Sequence, residues 1–284
     1  MSNPLQAVEH VRRLRGGSQA QLMRASDDQY WVVKFQGGPQ GTRILANEMF
    51  ASRLGRWLNL PIPQTEAIEV SEELIERTPE LHFDIGATRI KCMPGRHLAS
   101  LYADQNGNMV FDYLPESLLS KVSNIGMFAR SLVLDKWTCN SDSRQAVFTK
   151  KPRGRAYSAT LIDQGYCFNA EEWDFPDCTL RGVYSRNAVY VRVTGWDSFE
   201  PALTRAEEAD IVHLWRCAEN IPPEWYKHDK PALEQLVETL YRRRGKLRTL
   251  ITAFRDSPRI PFPNWTVREQ VSVATDWYAL AQSR

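Results

Sequence analysis

The chain has 284 residues, 43% of them apolar and 25% charged, and a formal net charge of +2. That length holds one large domain or two lobes with a core each; the composition excludes a disordered chain, and the near-neutral charge gives no argument for a nucleic-acid partner. No apolar run approaches a membrane span, "MSNPLQAVEHVRRLR" has no signal-peptide core, and the five cysteines lack a CxxC pair, which fits reduced thiols in a cytoplasmic protein.

In chain order, "HVRRLR", "AQLMRAS" and "QYWVVKF" predict short strands separated by the turn residues Gly16-Gly17-Ser18 and Asp27-Asp28. "RILANEMFASRLGRWLNL" repeats apolar residues at helical spacing until Pro61 and Pro63 stop it. "EAIEV" and "ATRIKCM" predict further strands, the second broken by Pro94-Gly95. Residues 1–94 are therefore expected to form a small antiparallel β lobe with one helix. Residues 95–284 are expected to be a larger, mainly helical lobe. In it "PESLLSKVSNIGMFARSLVLD" predicts one helix, Thr204 and Glu207 have the spacing of a capping box, and "PALEQLVETLYRRRGKLRTLITAF" predicts one long helix despite Gly245. "QAVFTK" and "SATLIDQGYCF" predict a hairpin embedded among these helices. The fold class is α+β.

Several polar residues fall where phosphoryl transfer needs them. Lys34 ends an apolar strand, where a fixed ammonium could pair with nucleotide phosphates, and Glu48 on the following helix could reach back to orient it. "RGGSQAQL" supplies backbone N–H groups of Gly16, Gly17, Ser18 and Gln19 suited to covering phosphates, although Gly-Gly is also an ordinary hairpin turn. Asp163 ends an apolar strand in Asp-x-Gly, a plausible magnesium ligand. One hairpin earlier, Asp142 could accept the proton of an attacking hydroxyl. Each residue alone fits a turn or a solvated surface; the ordered set is what points to a kinase.

With "GGSQAQL", "YWVVKF", "LANEMFASRLGRWLNLPIP", "LVLDKWTCNSDSRQAVF" and "LIDQGYCF" in view, the chain resembles the HipA-like kinases, whose fold is two-lobed and protein-kinase-like and distantly similar to phosphatidylinositol 4-kinases. The resemblance covers roughly residues 10–170. It implies that Lys34 contacts phosphates, Glu48 orients Lys34, Asp142 is the base and Asp163 binds metal, with ATP and Mg²⁺ as cofactors. It also implies that "IKCMPG", with Lys91, Cys92 and Met93, is the hinge that holds adenine. One departure is plain: related loops place a second metal-ligating asparagine where this chain has Val147. Either Asn140 or Asp135 could supply the missing oxygen. In an alternative register Asp135 is the base and Asn140 its metal-binding companion. Asp142 is preferred as base.

The expected activity is ATP- and Mg²⁺-dependent phosphorylation of a hydroxyl on a protein Ser/Thr or a small molecule. The alternatives are a nucleotide-binding scaffold without turnover, suggested by Val147, and a lipid kinase, for which no membrane-docking element is legible. The chain starts close to the glycine loop, so no toxin-type N-terminal domain is expected.

Overall fold

The structure is a computed structural model and describes residues 4–104 and 107–266. Strands β1 (Leu5–Arg13), β2 (Gln21–Ala25) and β3 (Tyr30–Lys34) lead into helix α1 (Arg43–Trp57), followed by β4 (Thr65–Val70) and the short helix α2 (Glu72–Glu76). A hairpin of β5 (His82–Ile85) and β6 (Thr88–Lys91) precedes β7 (Gly95–Leu101) and β8 (Met109–Phe111). Five of these strands close into a barrel in the order β1-β2-β3-β7-β4, antiparallel except where β1 meets β4. Alternate side chains point inward, so Met23, Trp31, Val33, Ile68 and Val70 fill the barrel.

The rest is mainly helical. It contains α3 (Glu116–Leu119), α4 (Met127–Trp137), α5 (Ala202–Glu207), α6 (Ile211–Ala218), α7 (Lys230–Arg243) and α8 (Leu247–Arg255). Strands β9 (Gln145–Lys150) and β10 (Ser158–Ile162) form the predicted hairpin, and β8 extends it to three strands. A second core gathers Phe128, Leu132, Trp137, Phe168, Tyr190 and Phe254. Helix α1 sends Met49, Phe50 and Leu54 into this second core rather than into the barrel, with Phe50 5.3 Å from the Phe168 ring. Helix α1 therefore ties the barrel to the helical part.

Four predicted elements differ. Pro94 is only a bend, and the barrel continues from Gly95 into β7, which pairs with both β3 and β4. The helix predicted over residues 115–135 breaks between α3 and α4. There Asn124 exchanges hydrogen bonds with Ala159 (2.7 and 2.8 Å) and the Ser123 N–H donates to Tyr157 (2.9 Å), so pairing to β10 replaces helical bonds. Thr204 lies inside α5 instead of capping; Asp210 caps α6 by accepting from the His213 N–H at 2.6 Å. The long C-terminal helix divides at Gly245, whose helical cost is about 1 kcal/mol, into α7 and α8 around a tight turn.

Candidate active site

A cavity of about 1420 Å³ lies between barrel and helical part, lined from one side by Lys34, Gly16, Gly17 and Ser18 and from the other by Asp142, Gln145 and Asp163. Lys34 is the last residue of β3, and its Nζ lies 2.5 Å from Glu48 Oε2 and 2.9 Å from Asp163 Oδ1. Asp163 takes the left-handed conformation (φ 59°) as it leaves β10, a conformation uncommon outside glycine that turns the chain sharply beside Lys34. Burial works against the Lys34 charge, but the carboxylates of Glu48 and Asp163 outweigh it and raise the ammonium pKa. Burial likewise opposes ionisation of Asp163, yet Lys34 holds its carboxyl below the usual range. Glu48 is the deeper carboxyl; burial, with Asp163 adding to it, pushes its pKa up against the pull of Lys34.

Neighbouring contacts fix this cluster. Asn47, next to Glu48 and fully buried, donates to the carbonyls of Gly165 (2.9 Å) and Ala170 (2.7 Å), which fastens α1 to the segment after Asp163. Gly165 packs so close to α1 that an added Cβ would lie 2.5 Å from Ile44 Cγ2. The glycine of Asp-x-Gly is thus required by helix contact. Glu171 accepts from the Arg43 N–H at 3.1 Å, placing a carboxylate at the start of α1, where the helix dipole favours it.

Asp142 borders the cavity on the loop between α4 and β9. Its Oδ1 accepts from the Ser143 N–H (2.7 Å) and its Oδ2 from Gln145 Nε2 (3.3 Å). Asp135 sits elsewhere: it is 1% exposed on α4, its carboxylate taken by the buried Arg144 guanidinium and by Asn140 Nδ2 at 2.9 Å. Asn140 is also buried, its Oδ1 accepting from the Asp142 N–H at 3.1 Å. Neither Asp135 nor Asn140 lines the cavity. Val147 does, and Gln145, two residues earlier on the same face of β9, also lines it and turns its amide nitrogen to Asp142.

The predicted nucleotide contacts divide. Gly16, Gly17 and Ser18 line the cavity, but Gln19 turns away, its carboxamide bonded to Arg13 and to the Asp84 backbone (both Asp84 bonds 2.8 Å). The hinge expectation is corrected. Lys91 pairs with Glu76 at 2.6 Å, Cys92 is buried in the barrel core, and Met93 is 67% exposed with its carbonyl 2.9 Å from His97 Nε2. The cavity is bordered instead by Leu101, Tyr102 and Ala103, where the chain leaves β7. The cause is β7 itself, which carries the chain on through the barrel before it reaches the helical part.

Two carboxylates share one ammonium, and Asp142 lines the same cavity. Among the described residues no group of three His, Cys, Asp or Glu side chains is gathered closely enough to hold a metal ion unaided. Residues 8–253 match the family model of the HipA-like kinases. The chain belongs to the HipA-like kinase family. Among solved structures, the proinflammatory kinase CtkA of Helicobacter pylori is similar with a TM-score of 0.53 and 14% identity, over 86% of this chain and 92% of CtkA. The Golgi casein kinase is similar with a TM-score of 0.51 and 14% identity, over 90% of this chain and 75% of its own; a second structure of it, with Mn/ADP bound, has a TM-score of 0.50. At such identities the likeness establishes a kinase-like fold of mixed helix and strand. No curated protein sequence matches the chain. No helix of this family member, among the described residues, is long and apolar enough to cross a membrane.

Proposed function

We propose that the protein is a two-lobed, ATP-dependent phosphotransferase that moves the γ-phosphate to a hydroxyl of a protein side chain or a small molecule. The observation that carries this reading is the Lys34 ammonium held between Glu48 and Asp163, the latter 129 residues away in sequence. A lysine that merely lay along the surface would keep its ammonium in water; this one is buried and aimed into the cavity.

In this reading Gly16, Gly17 and Ser18 cover the phosphates with backbone donors, Lys34 orients them, and Glu48 holds Lys34 in place. The segment Leu101–Ala103 borders the adenine. Asp142 accepts the proton as the acceptor oxygen bonds to the γ-phosphorus, the bond to the β-phosphate oxygen breaks, and ADP leaves. A bound divalent cation, Mg²⁺ by preference, supplies neutralisation of phosphate charge; Asp163 would hold it, and Gln145, which lines the same cavity, would supply a carboxamide oxygen in place of the asparagine that Val147 replaces.

The test is a thermal shift with Mg·ATP, which must raise the melting temperature if the native cavity binds it, followed by transfer from γ-labelled ATP to the protein itself or to a lysate and metabolite extract. An unmoved melting temperature at saturating Mg·ATP contradicts the reading. Binding without any transfer selects the scaffold alternative, which Val147 favours.

A further inference from the structure

We infer, on the footing of the phosphotransfer reading above, that Arg144 is a positioning residue that fixes the spacing between the base Asp142 and the metal-binding Asp163. Its side chain is fully buried, and its guanidinium divides its donors between two directions. Nε donates to both Asp135 oxygens at 3.1 Å, and Nη2 donates to Oδ1 as well. Nη1 donates to the Ile162 carbonyl at 3.2 Å and to Gln164 Oε1 at 3.1 Å. Ile162 and Gln164 flank Asp163. Asp135 in turn accepts from Asn140, whose side-chain oxygen accepts from the Asp142 N–H. One rigid fork thus joins the supports of both carboxylates without touching either.

A second brace acts on the backbone. The Gly182 N–H donates to the Asp142 carbonyl at 3.1 Å, and the Arg144 N–H donates to the Val183 carbonyl at 3.1 Å. Gly182 has φ 65°, and a Cβ there would lie 3.0 Å from Asp135 Cβ and 3.1 Å from Asn140 Cβ, so this strip seats directly on the ion pair.

The choice of a charged fork is informative. Apolar residues of similar volume commonly replace a buried ion pair with no loss of stability, so stability alone does not call for one. What the pair adds is planar, directional bonding. Val147 offers no oxygen through which a second metal ligand could tie this strand to the site, and Arg144 provides a link made of protein alone.

The experiment replaces the pair as a unit, Asp135→Leu with Arg144→Met, because either change alone strands a buried charge. Melting temperature, Mg·ATP affinity by calorimetry, kcat, and amide exchange over residues 140–144 are measured beside wild type. The expected result is a folded protein that binds Mg·ATP within about threefold of wild type, has lost protection in that loop, and has kcat lowered by about 100-fold, the cost of a misplacement near 1 Å. A folded double variant with unchanged kcat overturns the assignment and leaves Arg144 a packing residue. Should the double variant not fold, Gln164→Leu retains the ion pair and removes one of the two Asp163-side bonds, leaving that to the Ile162 carbonyl. It is expected to lower kcat about tenfold at unchanged affinity, and an unchanged kcat there overturns the assignment equally. Wild type that binds Mg·ATP but transfers no phosphate to itself or to any acceptor overturns the kinase reading, and the positioning role with it; that outcome is read before any variant is made.

Discussion

Lys34→Met tests whether the buried ammonium holds the site together. The substitution keeps an unbranched side chain one atom shorter and leaves Glu48, 4% exposed, beside Asp163 with no cation between them. Removing one partner of a buried ion pair costs about 3–5 kcal/mol, and at about 2–4 °C per kcal/mol for a chain of this size the melting temperature should fall by roughly 6–20 °C. The pH dependence between pH 5 and pH 8 should tilt further toward low pH. In wild type the Asp163 carboxyl is held below its usual range, so its contribution is lost only as pH falls below the ordinary carboxylate range and is nearly constant from pH 5 upward. In the variant the Glu48 carboxyl, already pushed up by burial, loses the ammonium that restrains it. A carboxyl with a raised folded pKa stabilises at low pH and loses that contribution as pH rises through the folded value. The variant should therefore melt higher at pH 5 than at pH 8. Mg²⁺ without nucleotide should recover part of the loss, since two unpaired carboxylates form a hard-oxygen site. Calorimetric melts across that pH range, with and without Mg²⁺, measure all three effects. A melting temperature within about 2 °C of wild type, with no added preference for pH 5, would show that water already screens the cluster and that Lys34 is not its keystone.

Asp142→Asn should lower turnover by about 10²–10⁴-fold while leaving the Mg·ATP thermal shift intact, whereas Asp135→Asn should chiefly destabilise, its partner Arg144 being wholly buried; full activity in Asp142→Asn would move the base elsewhere. Gln145→Leu should raise the Mg²⁺ concentration needed for half-maximal ADP binding, and Val147→Asn should lower it, both read by calorimetry; no change in either excludes this strand from the metal site. Ser18 lines the cavity in the glycine loop, so Ser18→Asp, a stand-in for its phosphorylated form, should weaken ATP binding by repulsion between like charges. Mass spectrometry after incubation with ATP shows whether Ser18 is itself modified.

The strands β1 to β4 and the β9–β10 hairpin were legible because alternation and turn residues are local signals. β7 was not: Pro94-Gly95 announced an end, and only pairing on both edges makes "GRHLASL" a central strand. The hinge expectation failed with it, since the segment that follows β7, and not the one before, reaches the cavity. The broken helices have the same origin. Asn124 bonded to Ala159 and Asp210 capping α6 are tertiary and capping choices that an apolar repeat does not register.

Within the cavity, the residues that sequence could nominate are those with a charge and a short spacing to a recognisable element: Lys34 on a strand, Glu48 on the next helix, Asp163 before a glycine. The groups that support them carry no such mark. Asn47 looks like any polar helix residue until its amide is seen bonded to Gly165 and Ala170. Asp135 shows the difficulty most clearly, because its spacing to Asn140 suits a catalytic pair as well as a structural one. Burial separates the two uses. A base has to meet the acceptor hydroxyl, and a carboxylate 1% exposed and fully engaged by Arg144 and Asn140 cannot do so without breaking the bonds that hold the loop. Asp142, at the cavity wall with its carboxylate bonded by the near neighbours Ser143 and Gln145, can.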